Sequence, residues 1–135
     1  MEKQNMINIA VIGAAGRMGR RIIANAVESG NFAVTGAVEW DGCPLLGQDA
    51  GSVAGVQPLG VNICASLEEV FASAKVDAVI DFATSGAVEC ARVAVANNAA
   101  FVCGVTAMSN EERAELKELP HHTSKQPRPP QNCRY

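Results

Sequence analysis

The sequence predicts an α/β fold, a parallel sheet covered by helices on both faces. Two observations carry this reading. Short β-branched runs alternate along the chain with stretches of helical period, the order that a parallel sheet with crossover helices requires. Of the 135 residues, 48% are hydrophobic but only 4% are aromatic, so the core must be built from small aliphatic side chains. That bias suits strands buried on both faces better than an aromatic-rich sandwich.

The elements follow in order. INIAVI, Ile7 to Ile12, has strand character. Arg17 to Ser29 places Met18, Ile22, Ile23, Ala26 and Val27 on one helical face, and Gly30 falls where a C-terminal cap belongs. Phe32 to Glu39 is a second strand that completes a βαβ unit. Trp40 to Gly60, with glycines at 42, 47, 51, 55 and 60 and prolines at 44 and 58, reads as a long loop with a short helical turn. Val61 to Cys64 is expected to form another strand. Ser66-Leu-Glu-Glu69 has the form of a capping box and opens a helix to about Ala74. VDAVIDF, Val76 to Phe82, is a buried strand, Ser85 to Asn97 a helix, and Ala100 to Gly104 a further strand. Ser109-Asn-Glu-Glu112 is a second capping box, starting a helix through Leu119.

Residues 1–119 therefore read as one domain. Residues 120–135 break the pattern, with four of the six prolines, both histidines and no acidic residue. Without apolar periodicity this tail is expected to be disordered or loosely packed. The abrupt change of composition suggests a shifted reading frame or a truncated gene.

Composition narrows the function classes. A net charge of −3 gives no basic footprint for nucleic acid, and no polybasic run marks a membrane surface. No apolar run approaches the ~20 residues of a bilayer span, and the N-terminus lacks a signal-peptide layout. A cytoplasmic location is the expectation. The cysteines at 43, 64, 90, 103 and 133 form no C-x-x-C pair, so they read as reduced thiols, with neither disulfide nor metal site.

The stretch VIGAAGRMGRR carries the chemistry. Gly13, Gly16 and Gly19 form G-x-x-G-x-x-G. Gly13 would let the chain turn off the strand, Gly16 would let backbone approach a pyrophosphate, and Gly19 would let the helix pack closely. The helix start offers unpaired N–H groups and partial positive charge to phosphates. A glycine-rich turn without a ligand reads as well on the glycines alone. The context decides: a strand precedes, a helix follows, and Glu39 ends the next strand twenty residues past Gly19. A carboxylate there accepts from the ribose hydroxyls and repels a 2′-phosphate, which favours NADH over NADPH. Trp40 and Asp41 add no cation, and Trp40 is placed to stack on adenine, although Arg17 and Arg20 remain available to a 2′-phosphate. The fold class is thus a Rossmann-like doubly wound sheet.

IGAAGRMGR, AVE, LLGQDAG, VIDFATSGA and CGVT, in this order, resemble the N-terminal domain of the bacterial dihydrodipicolinate reductases, the 4-hydroxy-tetrahydrodipicolinate reductases of lysine and diaminopimelate biosynthesis. The resemblance covers roughly Met6 to Leu119. It implies NAD(P)H-dependent reduction of 4-hydroxy-tetrahydrodipicolinate to tetrahydrodipicolinate with loss of water. It places Gly13, Ala14, Ala15, Gly16, Arg17 and Met18 around the pyrophosphate, Gly19 against the helix and Glu39 on the ribose. Phe82, Ala83 and Thr84 match the family's D-F-T turn beside the coenzyme. Gly104, Val105 and Thr106 match its G-T-T turn, whose backbone faces the nicotinamide carboxamide; Val105 costs a hydroxyl there but no backbone group. Trp40 stands where many members carry an arginine.

The same resemblance implies no catalytic side chain in this chain. In the family a second domain grips the dicarboxylate substrate with paired histidines, a lysine and a P-S-G-T-A segment, and the whole enzyme is a homotetramer. By this resemblance the chain is expected to lack that domain, and its assembly does not follow from the family's. His121, His122 and Lys125 read H-H-x-x-K but lack the substrate sheet and the Ser-Gly-Thr that follows, so they read as a chance match. The rivals are another Rossmann-type reductase and a non-catalytic dinucleotide-binding module.

Overall fold

The computed structural model describes residues 6–83, 86–104 and 109–118. The elements are β1 (Ile7–Ile12), α1 (Arg17–Ser29), β2 (Phe32–Val38), α2 (Ala50–Val53), α3 (Leu67–Ser73), β3 (Ala78–Asp81), α4 (Ala87–Ala96), β4 (Ala100–Cys103) and α5 (Asn110–Glu118). All strand pairs are parallel, in the order β2-β1-β3-β4. The chain lays β2 on one side of β1 and then returns to place β3 and β4 on the other. A sheet that reverses its winding in this way leaves a crevice at the carboxyl ends of its central strands.

Strand alternation sorts the core into two faces. Ile9 and Val11 of β1 meet Val34 and Ala37 of β2 beneath Ile23 and Ala26 of α1. Ala10, Ile12, Val38 and Val79 point the opposite way, against Leu67 and Val70 of α3 and Ala94 of α4. Each buried Val, Leu or Ile side chain contributes roughly 1.5–3 kcal/mol through removal from water, and each alanine methyl less. Helices cover both faces, which is the doubly wound architecture. No helix among the described residues is long and apolar enough to cross a membrane.

β2 reaches this sorting through a bulge. Ile9 pairs with Val34, but Ala10 pairs with Gly36, so Thr35 is the extra residue. Its hydroxyl donates to the carbonyl of Lys75 at 2.8 Å. Gly36 then lies under α3, where a Cβ would run into the Val70 side chain and stand 3.1 Å from the Ala10 Cβ.

Local signals set the helix ends. Gly30 caps α1 in the left-handed region at φ 75°. The Ser66 hydroxyl accepts from the amide of Glu69 at 3.3 Å and opens α3. Ser109 and Glu112 bond reciprocally, at 3.1 and 3.0 Å, ahead of α5.

One expected element is corrected. Val61–Cys64 is not a strand but makes two isolated bridges, Asn62 antiparallel to Asp49 and Cys64 parallel to Val38. Its backbone is divided between the 47–50 turn, through Ile63 N to Gln48 O at 2.9 Å, and the end of β2, through Cys64 N to Ala37 O at 2.9 Å. A segment serving two partners cannot extend a ladder along either. The 120–135 tail lies outside the described residues.

Gly36→Ala is predicted to destabilise the protein by about 1–3 kcal/mol, because Val70 and Ala10 are buried and have no room to yield. A shift of the urea midpoint to lower concentration with unchanged slope is the expected result.

Candidate functional site

The crevice at the carboxyl ends of β1, β2 and β3 is a cleft of about 580 Å³. Its walls come from three stretches. Gly13, Ala15 and Gly16 lie between β1 and α1, Glu39 and Trp40 follow β2, and Phe82 and Ala83 follow β3. Cys43, Pro44 and Leu45 of the long loop and Cys90 of α4 close the remaining sides. A volume of this order suits a small molecule or cofactor.

The glycine turn is built by backbone contacts that exclude side chains. Gly13 takes φ 84°, and its Cα direction faces the main chain of Phe82 and Ala83, where a Cβ would stand 3.1 Å from the Ala83 nitrogen. Gly19, inside the first turn of α1, lies so close to the turn that a Cβ would stand 2.8 Å from the Ala14 Cα. A Cβ at Gly16, by contrast, would meet only the Gly13 carbonyl oxygen, at 3.4 Å.

The turn's amides have distinct fates. Those of Gly13 and Ala14 both donate to the Val38 carbonyl, at 2.8 and 3.2 Å, and so tie the turn to β2. The Ala15 amide donates to the Glu39 carboxylate at 2.8 Å. Gly16 is the N-cap of α1 and provides no side-chain cap. Nothing among the described residues accepts from the amides of Arg17 or Met18. Those two N–H groups, with the positive end of the helix dipole, form a site for an anion.

Glu39 also accepts from the Trp40 amide, at 3.3 Å. Its carboxylate thus sits beside the anion site, placed to accept hydroxyl hydrogens. The Trp40 indole is 63% exposed and lies over Gly42, where a Cβ would come within 2.8 Å of the ring. An exposed flat ring at a cleft mouth offers a stacking face.

The structure thus brings Gly13, Ala15, Gly16, Glu39 and Phe82 onto one cleft. Ala14 and Gly19 are buried beneath the turn, while Arg17 and Met18 stand exposed on the first turn of α1. Gly104 lies beneath the Phe82 ring, which a Cβ there would strike. Thr84, Val105 and Thr106 lie outside the described residues.

Two important residues were not singled out by sequence reading. Asp81, at the end of β3, is 0% exposed. Its Oδ1 accepts from the Ala83 amide at 2.8 Å, and burial pushes its carboxyl above the ordinary value. The signal was an acid within the apolar run VIDF. Asp49 organises the long loop: its carboxylate accepts from the amides of Ser52, Leu59, Gly60 and Val61 at 2.7 to 3.2 Å. These bonds, led by that from Ser52, hold the Asp49 carboxyl down at about 2. Nothing in LLGQDAG announces that its partners lie ten residues on.

With this geometry established, comparisons place the chain among known proteins. The family model described as dihydrodipicolinate reductase, N-terminus, matches residues 7–125. The 4-hydroxy-tetrahydrodipicolinate reductase of Trichlorobacter lovleyi is 45% identical over 115 residues, covering 84% of this chain and 42% of the relative. That of Chelativorans sp. is 37% identical over 121 residues, covering 89% of this chain and 43% of the relative. The chain therefore spans about two fifths of the length of these relatives. The dipicolinate-bound dihydrodipicolinate reductase from Paenisporosarcina sp. TG-14 shares the fold with a TM-score of 0.62 at 22% identity, over 83% of this chain and 42% of that one. A myo-inositol dehydrogenase from Corynebacterium glutamicum superposes with a TM-score of 0.54 at 27% identity, over 73% of this chain and 28% of its own.

The Asp49 carboxyl gives a pH prediction. Its value is lowered from 3.8 to about 2 on folding, so its contribution to stability is complete above pH 4 and is lost as pH falls towards 2. Asp49→Asn is expected to melt earlier than the parent at pH 5, with the gap narrowing by pH 2. A constant gap across that range would refute the assignment.

Proposed function

The chain belongs to the dihydrodipicolinate reductase N-terminal family, and we propose that its cleft binds a reduced nicotinamide dinucleotide for the reduction of 4-hydroxy-tetrahydrodipicolinate to tetrahydrodipicolinate. The observation that carries this reading is the uncapped start of α1, opening into the cleft beside the Glu39 carboxylate.

The residues fit such a coenzyme. The Arg17 and Met18 amides hold the diphosphate, with Gly13, Ala14, Ala15 and Gly16 shaping the turn beneath it. Gly19 lets the helix come close enough to do so. Glu39 accepts from the adenosine ribose and Trp40 stacks on adenine. By family resemblance, Phe82, Ala83 and Thr84, with Gly104, Val105 and Thr106, are assigned to the nicotinamide end. When bound, the coenzyme supplies the hydride.

This chain's own residues bind, orient and exclude water. Ile12, Val38, Leu45 and Phe82 give the cleft apolar walls, against which a bound coenzyme displaces water. The only charged residue among the described lining is Glu39. A dicarboxylate therefore finds no cation in these walls, and its grip and the proton it needs are assigned to the part of the relatives that this chain does not span. The chain alone is expected to bind coenzyme and to turn over slowly.

Coenzyme choice follows from charge. Glu39 favours a free 2′-hydroxyl, and Trp40 brings no cation for a 2′-phosphate, so NADH is the preferred form and NADPH the weaker.

Calorimetric titration with NADH and NADPH tests the reading, with Gly16→Asp as the control. A Cβ fits at Gly16, so this variant should fold normally. Its carboxylate faces the diphosphate and should weaken binding at least tenfold. Trp40→Arg should shift preference towards NADPH by about tenfold, the worth of one charge-assisted hydrogen bond. A parent chain that holds neither coenzyme at low salt would sink the proposal.

A further inference from the structure

We propose that Asp81 is a positioning residue carried as the neutral acid, which sets the spacing between the two turns beside the coenzyme's nicotinamide end. The proposal rests on the coenzyme reading above and extends it to a residue that touches neither coenzyme nor substrate.

Asp81 is a junction. Its Oδ1 accepts from the Ala83 amide at 2.8 Å, and its main-chain carbonyl accepts from the Gly104 amide at 2.8 Å. One residue thus bonds to the turn after β3 and to the turn after β4. The same region is locked to the glycine turn: Phe82 N donates to Ile12 O at 3.0 Å, and Gly13 faces the Phe82–Ala83 backbone too closely for a side chain. Gly104 is likewise pressed beneath the Phe82 ring. Three ligand-facing turns therefore meet around Asp81, and a shift of its carboxyl moves the Ala83 amide directly.

The surroundings select the uncharged form. Asp81 is 0% exposed, and its Oδ2 has no hydrogen-bond partner among the described residues. Among the described residues, the titratable groups that act on its neighbour Cys90 are, besides Asp81 itself, Glu68 of α3, Glu89 of α4 and the Cys103 thiol of β4. None carries positive charge. The one ion pair among the described residues is Arg92–Glu115, on the surface between α4 and α5. Residues 84–85 and 105–108, which follow the two turns in sequence, contain no ionisable side chain. An ionised carboxylate buried here would have, among the described residues, a single main-chain donor and no counter-charge, whereas the acid carries no net charge to desolvate.

The sign of the pH dependence follows. A carboxyl that keeps its proton in the folded chain but loses it on unfolding contributes stability below its unfolded value of 3.8, and that contribution is lost as pH rises above it. Asp81→Asn cannot ionise, yet it keeps the acceptor for Ala83 and places an amide where the acid carries its O–H. Asp81→Ala removes the acceptor and leaves the main-chain carbonyl for Gly104.

The experiment compares melting temperatures of the parent and Asp81→Asn between pH 4 and 8, then measures NADH affinity at pH 7. Energy transfer from Trp40, the sole tryptophan, reports the binding. The expected result is that Asp81→Asn gains on the parent as pH rises from 4 and binds NADH within about twofold, while folded Asp81→Ala binds about tenfold more weakly. If Asp81→Ala fails to fold, the pH profile and the Asn affinity still decide. An Asn variant that loses ground as pH rises overturns the neutral acid, and an Ala variant with parental affinity overturns the positioning role. A parent that holds neither coenzyme overturns the site reading itself, and the positioning role with it.

Discussion

The constraint on which the rest depends is the lack of room between α1 and the turn that leads into it. At Gly19 a single methyl group would overlap the Gly13 carbonyl and press on the Ala14 backbone. Only a helix seated this closely can point its first amides along the crevice between β1 and β3. The Val38 carbonyl completes the arrangement by accepting from both Gly13 and Ala14, which fastens the turn to the end of β2. Close contact, not flexibility, is what the glycines supply here. The Arg17 and Met18 amides are left over because the first turn of a helix has no acceptor one turn back and Gly16 brings no side chain to cap them.

Much of this architecture is legible in the sequence because the signals are local. α1 is delimited by its own periodicity and by Gly30, and the start of α5 by the pairing of Ser109 with Glu112. The glycine spacing and Glu39 located the cleft. What the sequence hides is set by distant partners. Val61–Cys64 looks like a strand because its residues favour one, yet its bonds go to Gln48 on one side and Ala37 on the other. Asp49 reads as an ordinary loop acid until the chain folds the 59–61 amides onto it. The bulge at Thr35 has no local signature either, since its hydroxyl finds the Lys75 carbonyl only after α3 has packed on β2.

Charge is distributed unevenly across the molecule. The surface carries a net negative charge, yet the described lining of the cleft has one charged side chain, Glu39, and otherwise apolar walls. In such a setting the few main-chain dipoles at the start of α1 act with less screening than they would in water. The Cys90 thiol shares this environment: burial, above all, pushes it well above the ordinary thiol value, which leaves it an inert wall.

The bulge in β2 has a consequence for how the sheet keeps its register. Below it, Phe32 to Val34 pair with Ile7 to Ile9, and above it Gly36 to Val38 pair with Ala10 to Ile12. The two halves of the strand are out of phase by one residue, and Thr35 absorbs the difference. The short α1–β2 link at the foot of the sheet thus enters β2 in one phase, while Val38 leaves it in the other. The rim at the cleft therefore takes its register from Gly36 to Val38, and the foot of the sheet takes its own from Phe32 to Val34.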